Sequence, residues 1–479
     1  MLCLFYYIRS SLASIVRNWT IDDIHYALTT TIQKRGILKS SETYGCSWSI
    51  DASTPFSISS IHWLRHCTMQ FATSLIYGPN NDGSKEICHV KNHGIFSKYF
   101  RTVLMRHKID RQCRGFVVNS LAGSEDGKLE MKLAVPLQQL QEARIVFCTE
   151  AAIGHNQEAH PECNARVPAV LEGLEKARLT PQFRHKDVIR LENFSSATVD
   201  DIAAVHSKYY VRGMEKTLSE ALRAAGAGMA LVDSVIATSK MGKEPPIGFA
   251  LIRPPGHHAV PSNPMGFCIF GNIAIAARHA QQKHGVKKIL IIDFDVHHGN
   301  GTNDAFYDDP DIYFLSTHQA GGYPGTGKFS NIGEGAGEGT TLNLPLPSGS
   351  GDEAMSAVFD EVIVPVAQRF KPELILVSAG YDGHVLDPLG GLQFTNGTYY
   401  RLALNIKALA KELCGGRCVF FLEGGYNLKS LSDSISETFR AFLGENSLAS
   451  KLDNPAFLED EPTLKVREAI HQIKTLHSI

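Results

Sequence analysis

Cysteine pairs, surplus charge and long apolar runs are all missing from this chain, and each absence removes a class of function. The ten cysteines lie scattered between Cys3 and Cys418 with no Cys-x-x-Cys pair. Neither a disulfide framework nor a zinc finger is expected, and a reducing compartment is. Lys+Arg 47 against Asp+Glu 49 gives a formal net charge of -2, so no basic surplus supports direct nucleic-acid binding. No run approaches the roughly 18 apolar residues of a membrane span. No internal repeat is visible, and nothing in the pattern fixes an oligomeric state. What remains is a chain of 479 residues, 43% of them hydrophobic, able to build a large core.

The chemistry is concentrated where greasy runs end. Ile289 to Ile292 is β-branched and apolar throughout, as in a strand buried on both faces, and it runs into Asp293-Phe-Asp-Val-His-His-Gly-Asn-Gly301. The two-residue period of a strand puts Asp293, Asp295 and His297 on one side and Phe294 and Val296 on the other. Two carboxylates and an imidazole converging there make a poor core and a good cation site, because unpaired charge is costly to bury. The construction recurs: Leu374-Ile-Leu-Val-Ser-Ala-Gly-Tyr-Asp382, Cys418-Val-Phe-Phe-Leu-Glu-Gly-Gly-Tyr426, and Ile247 to Ile252 leading into Arg253-Pro-Pro-Gly-His-His258. In an open parallel sheet, strand ends point to one crevice. Four of them would pool Asp295, His297, Asp382, Tyr426, His257 and His258.

From Arg144 to Leu443 such strands alternate with helical patterns at 272–283, 352–370, 398–413 and 431–443. This is the pattern of an α/β wound sheet, mostly parallel, with helices on both faces. Residues 1–135 show no sustained period and read as an N-terminal extension. Their first 20 residues hold Arg9, Arg17 and several serines with no acid before Asp22, which fits an organelle transit peptide. Residues 447–479 read as a polar tail with one helix over 464–476. The stretch 322–328 approximates a phosphate-binding loop, but Phe329 occupies the position that needs Ser or Thr.

Taken together, Arg-Pro-Pro-Gly-His-His (253–258), Asp-Phe-Asp-Val-His-His-Gly-Asn-Gly (293–301), Tyr-Pro-Gly-Thr-Gly (323–327), Ser-Ala-Gly-Tyr-Asp (378–382) with Asp387-Pro388, and Leu-Glu-Gly-Gly-Tyr-Asn-Leu (422–428) resemble the zinc-dependent histone deacetylase family. The pattern is class II-like, most like plant organellar members and their bacterial acetylpolyamine-amidohydrolase relatives. The resemblance runs from near Ala143 to near Leu443, so residues 136–446 are expected to be the catalytic domain, with the arginase/deacetylase-type sheet.

The resemblance implies one zinc per chain on Asp295, His297 and Asp382, with an open position for water and substrate. It makes His258 the general base, with Asn300 as its neutral partner. His257, held by Asp293, becomes the charged partner, and Tyr426 the oxyanion donor. Gly266, Phe267 and Tyr323 would line the tunnel for an acyl-lysine stem, with Leu389 as an apolar gate where polyamine-selective members carry Glu. Asp293, Asp295, His297, Ser316 and Thr317 match a structural potassium site. The substrate is then acetyl-lysine in a protein, histone or not, or a small N-acetylated amine such as an arylalkylamine. A chloroplast or mitochondrion is expected, with cytoplasm and nucleus as alternatives.

Two features stand apart from the pattern. Between Tyr210 and Ala224 the family carries some twenty or more additional residues at the active-site rim, and here Val211 to Arg223 leads almost directly into a helix. Either the mouth is wider, or the loss strips packing from the domain and leaves it poorly folded; a catalytically weak acyl-lysine binder lacking the rim segment is a further alternative reading of the function. Arginase-type ureohydrolases share the expected fold, but at the positions of their extra metal ligands this chain has Gly299 and His384. A second metal in the same site is therefore not expected.

Overall fold

The computed structural model describes residues 133–157, 159–214 and 219–479. The transit-peptide expectation and nearly all of the N-terminal extension lie outside these residues. Eight strands form one sheet: β1 (Ile145–Glu150), β2 (Val188–Leu191), β3 (Ile247–Ile252), β4 (Ile289–Asp293), β5 (Ile312–Gln319), β6 (Thr341–Leu346), β7 (Leu374–Ala379) and β8 (Cys418–Leu422). Their order is β2-β1-β3-β8-β7-β4-β5-β6, and every ladder is parallel. The sheet and the wound architecture agree with the sequence, and the four strands whose ends carry the polar clusters, β3, β8, β7 and β4, are immediate neighbours at its centre.

Side-chain alternation explains why these strands are apolar without interruption. In β4, Leu290 and Ile292 enter one core while Ile289 and Ile291 enter the other. In β8, Cys418, Phe420 and Leu422 face the first layer and Val419 and Phe421 the second. Both faces are covered, so β8 carries no charged residue until it emerges, and β4 none until Asp293 at its end.

The longer helices are α1 (Arg166–Lys176), α2 (Ser219–Ser239), α3 (Asn272–His284), α4 (Asp352–Val358), α5 (Val364–Phe370), α6 (Asn396–Cys414), α7 (Leu428–Leu443) and α8 (Thr463–His477). Helix α2 is the one described helix long and apolar enough to cross a membrane. Its Leu231, Val232 and Val235 are instead fully buried in the second core layer. Between α4 and α5, Phe359–Ile363 winds as a π-helix, which places the interruption where Pro365 removes a donor from the ladder. Helix α6 starts two residues earlier than its apolar period suggests, because Thr395 and Thr398 form a reciprocal cap.

The C-terminal segment packs as part of the main body. Val466, Ala469, Ile470 and Ile473 of α8 join the core beneath β6 and α4, and Glu461 accepts the backbone N–H groups of Gly351, Glu353 and Ala354 at 2.9 Å each. Lys465, Arg467 and Glu468 of α8 are exposed, and with the charged residues before the helix they give 447–479 the composition of a solvated tail.

Candidate active site

Asp293 ends β4, and the chain then turns so that Asp295 and His297 follow on the crevice side while Phe294 and Val296 enter the core. Asp382 lies just beyond β7, Tyr426 beyond β8, and His257 and His258 beyond β3. Asp293, Asp295 and Asp382 are completely buried. His297 Nδ1 lies 3.1 Å from Asp295 Oδ1 and 3.1 Å from Asp382 Oδ2. Glycines make this convergence sterically feasible: a Cβ at Gly380 would strike the Asp295 carboxylate, and one at Gly424 would strike that of Asp382.

The two nitrogen–oxygen separations of 3.1 Å are close to the edges of a coordination shell with ligand distances of about 2.0–2.2 Å, and all three ligand atoms lie within 4.8 Å of one another. The residues present therefore fit a divalent metal. Electrostatics agree. Although burial opposes charge, hydrogen bonds to Asp295 and Asp382 push the His297 imidazole up to about 11. Burial and the neighbouring Asp295 push Asp382 up to about 7. The pocket is short of positive charge. A Cβ at Gly299 would collide with Asp293, so a ligand side chain for a second metal has no room there, and His384 Nδ1 accepts from Leu386 N at 3.1 Å.

The two histidines are set apart by their partners. His257 Nδ1 lies 3.0 Å from Asp293 Oδ2; burial works against its charge, but Asp295 and Asp293 raise it to about 10. His258 Nδ1 lies 2.8 Å from Asn300 Oδ1, and burial together with the adjacent His257 charge holds it well below its usual value. The sequence links neutral His258 to an uncharged Asn300. In the folded chain burial and His257 are the larger causes, and Asn300 acts in the opposite direction.

Three buried acids escape recognition from sequence because none serves a ligand: Glu423 and Asp387 hold backbone amides, and Glu162 holds the guanidiniums of Arg253 and Arg166. Glu423 accepts from the amides of Gly256 (2.6 Å) and His257 (3.1 Å) and from Ser378 Oγ (3.2 Å). Asp387 accepts from Tyr426 N (2.6 Å), Asn427 N (3.2 Å) and Leu389 N (3.0 Å), fixing the tyrosine and the gate together. Glu162 pairs with Arg253, which also donates to the carbonyls of Ala151, Ala152 and His155. Arg166 donates to the carbonyls of Glu423 (2.6 Å) and Gly425 (2.7 Å). For Glu423 and Arg253 the signal available in the sequence is a charged residue directly after an apolar strand; Glu162, Arg166 and Asp387 offer none of that kind.

His258, Gly266, Phe267, His297, Tyr323, Leu389 and Tyr426 line one cavity of about 400 Å³, so all four tunnel residues meet above the metal-ligating cluster. A second cleft of about 550 Å³ adjoins it, walled by Gly266, Phe267, His155 and His160 among others. Ser316 and Thr317 lie on β5, with Ser316 in register with Asp293. Of the stretch 211–223, the described residues 211–214 end a helix, Lys208–Met214, and residues from Ser219 onward begin α2, whose Glu220 accepts from Gly154 N at 2.8 Å.

The sheet, its order and the crevice at its central strand ends are those of the arginase/deacetylase α/β fold. The crystal structure of the HDA15 HD domain superposes with a TM-score of 0.60 at 31% identity, covering 70% of this chain and 95% of that one. Residues 214–442 match the histone deacetylase domain family. Over 367 residues the chain is 65% identical to histone deacetylase 14, chloroplastic, of Arabidopsis thaliana, spanning 72% of this chain and 87% of the relative. It is 60% identical over 385 residues to histone deacetylase 10, chloroplastic, of Oryza sativa subsp. japonica, spanning 75% and 87%. The chain belongs to the histone deacetylase family, whose members are hydrolases of acetylated amides.

Proposed function

We propose that this protein is a zinc-dependent amidohydrolase that removes acetyl groups from N-acetyl-lysine in proteins, working in the chloroplast as the names of its relatives indicate. The observation that carries the reading is the meeting of Asp295, His297 and Asp382 with the His257–His258 pair at the floor of a cavity bordered by Tyr426. Zinc on those three ligands would polarise the amide carbonyl and acidify water.

The remaining steps belong to side chains. With Nδ1–H of His258 donated to Asn300, its Nε2 carries the free lone pair and takes the proton of the attacking water. His257 stays protonated beside Asp293 and steadies negative charge as it develops. Tyr426, held by Asp387, donates its hydroxyl to the oxyanion, an interaction worth on the order of 3–4 kcal/mol. The walls of Phe267 and Tyr323 enclose an aliphatic stem, and Leu389 offers nothing to a distal ammonium, which would be costly to desolvate unpaired. Asp293, Asp295, His297, Ser316 and Thr317 would hold a structural potassium.

A second reading, hydrolysis of small N-acetylated amines such as arylalkylamines, is favoured by the open cleft beside the tunnel. Purified full-length protein should release acetate from an acetyl-lysine peptide and contain zinc, with activity abolished by a chelator or by Asp382→Ala. Faster turnover of an N-acetylated arylalkylamine selects the second reading. Two manganese ions and urea release from arginine would overturn both.

A further inference from the structure

A second cluster of metal-ligating side chains lies at the far end of α3, about 18 Å along the helix axis from Asn272, the residue that adjoins the His257–His258 loop through Pro254. Asp233, on α2, turns one oxygen to two imidazoles of α3: Oδ1 is 2.8 Å from His279 Nε2 and 2.6 Å from His284 Nε2. The three side chains are 15%, 9% and 2% exposed. They sit on two helices packed against each other, and the two rings stand 5.7 Å apart at 76°. This orients both Nε2 atoms toward one point from different directions.

We infer that Asp233, His279 and His284 form a second zinc site that clips α2 to α3, independent of the catalytic centre. Two imidazole nitrogens and one carboxylate oxygen are a frequent zinc donor set, with water completing the tetrahedron. As a purely hydrogen-bonded cluster the arrangement crowds two ring N–H donors onto a single oxygen. Zinc at about 2.0–2.2 Å from each ligand needs ligand–ligand edges of somewhat over 3 Å, so the side chains must open by about half an ångström. Lys283 pairs with the other carboxylate oxygen at 2.9 Å and is 45% exposed. It weakens the site without blocking it, since Oδ1 and both nitrogens lie within 4.8 Å of one another and within reach of one ion.

The test counts zinc by equilibrium dialysis and elemental analysis on the full chain, comparing wild type with His279→Gln/His284→Gln. Glutamine keeps a donor to Asp233 while removing the imidazole ligands. The variant should hold one zinc fewer per chain, lose the zinc-dependent rise in Tm seen in wild type, and deacetylate at the wild-type rate. Lys283→Met should tighten the extra zinc by about two- to fivefold, the scale of an exposed charge pair. Because the readout is a difference between two proteins, it does not depend on what the catalytic centre holds. Equal zinc counts in wild type and variant up to 100-fold excess zinc overturn the inference. If the double variant fails to fold, as lost deacetylation would show, Asp233→Asn provides the same comparison.

Discussion

Replacing Glu423 tests how the His257–His258 loop is held. Its carboxylate, 1% exposed, accepts from Gly256 N, His257 N and Ser378 Oγ. Glu423→Ala leaves two buried amide donors without partners, and each such orphan costs about 1–3 kcal/mol. The sum, about 2–6 kcal/mol, is a large share of the 5–15 kcal/mol typical of a folded domain. Burial already pushes Glu423 up to about 7, so its neutral form is close at hand and Gln is a fair imitation. In Glu423→Gln the amide oxygen can serve both backbone donors while the NH2 group meets the Ser378 hydroxyl, and a loss of about 1 kcal/mol is expected. Catalysis should follow the loop, because a shift of about 1 Å in a reacting group costs on the order of 10²-fold. Urea denaturation and deacetylation of an acetyl-lysine peptide read both quantities. The Ala variant should lose stability as above and about 10²-fold in turnover, with the Gln variant within about tenfold of wild type. An Ala variant within about 1 kcal/mol and threefold of wild type would refute this account.

Tyr426→Phe should retain zinc and fold yet lose about 10²–10³ in turnover, and His258→Ala at least as much; near-normal rates in either would mean the roles are misassigned. Stability should fall in mild acid through His206, whose Nδ1 faces Val260 O at 3.1 Å while Nε2 accepts from Gly271 N at 2.9 Å. Burial lowers its pKa to about 4, so between pH 6.5 and 4 the unfolded chain binds a proton that the folded one refuses, a penalty of up to about 3 kcal/mol. Denaturation midpoints at pH 7 and pH 5 check it, and an unchanged pH slope in His206→Gln would contradict it. Inserting a family-like rim between Tyr210 and Ala224 should raise activity on acetyl-lysine peptides more than on compact N-acetyl amines; equal gains would make the segment a folding element instead. Acetylpolyamines should be poor substrates, with Leu389→Glu improving them, and kcat/KM on an acetylpolyamine is the check.

The sheet and the convergence of these side chains at its central strand ends are legible in the sequence for one reason. A strand buried on both faces carries no unpaired charge along its interior, so the first acids and histidines after Ile292, Ala379, Leu422 and Ile252 mark the crevice without any coordinates. The glycines that let Asp295 and Asp382 approach one another belong to the same local pattern.

Other features needed the tertiary structure. Glu423 and Asp387 read as ordinary motif members because their partners are backbone amides, which carry no sequence signal. The C-terminal helix reads as a solvated tail because its four core residues gain meaning only against β6 and α4. Asp233, His279 and His284 lie 46 and 51 residues apart, and only the packing of α2 on α3 aims their ligand atoms at one point. Local spacing determines which side chains leave a strand or helix together, whereas long-range packing decides which of them meet.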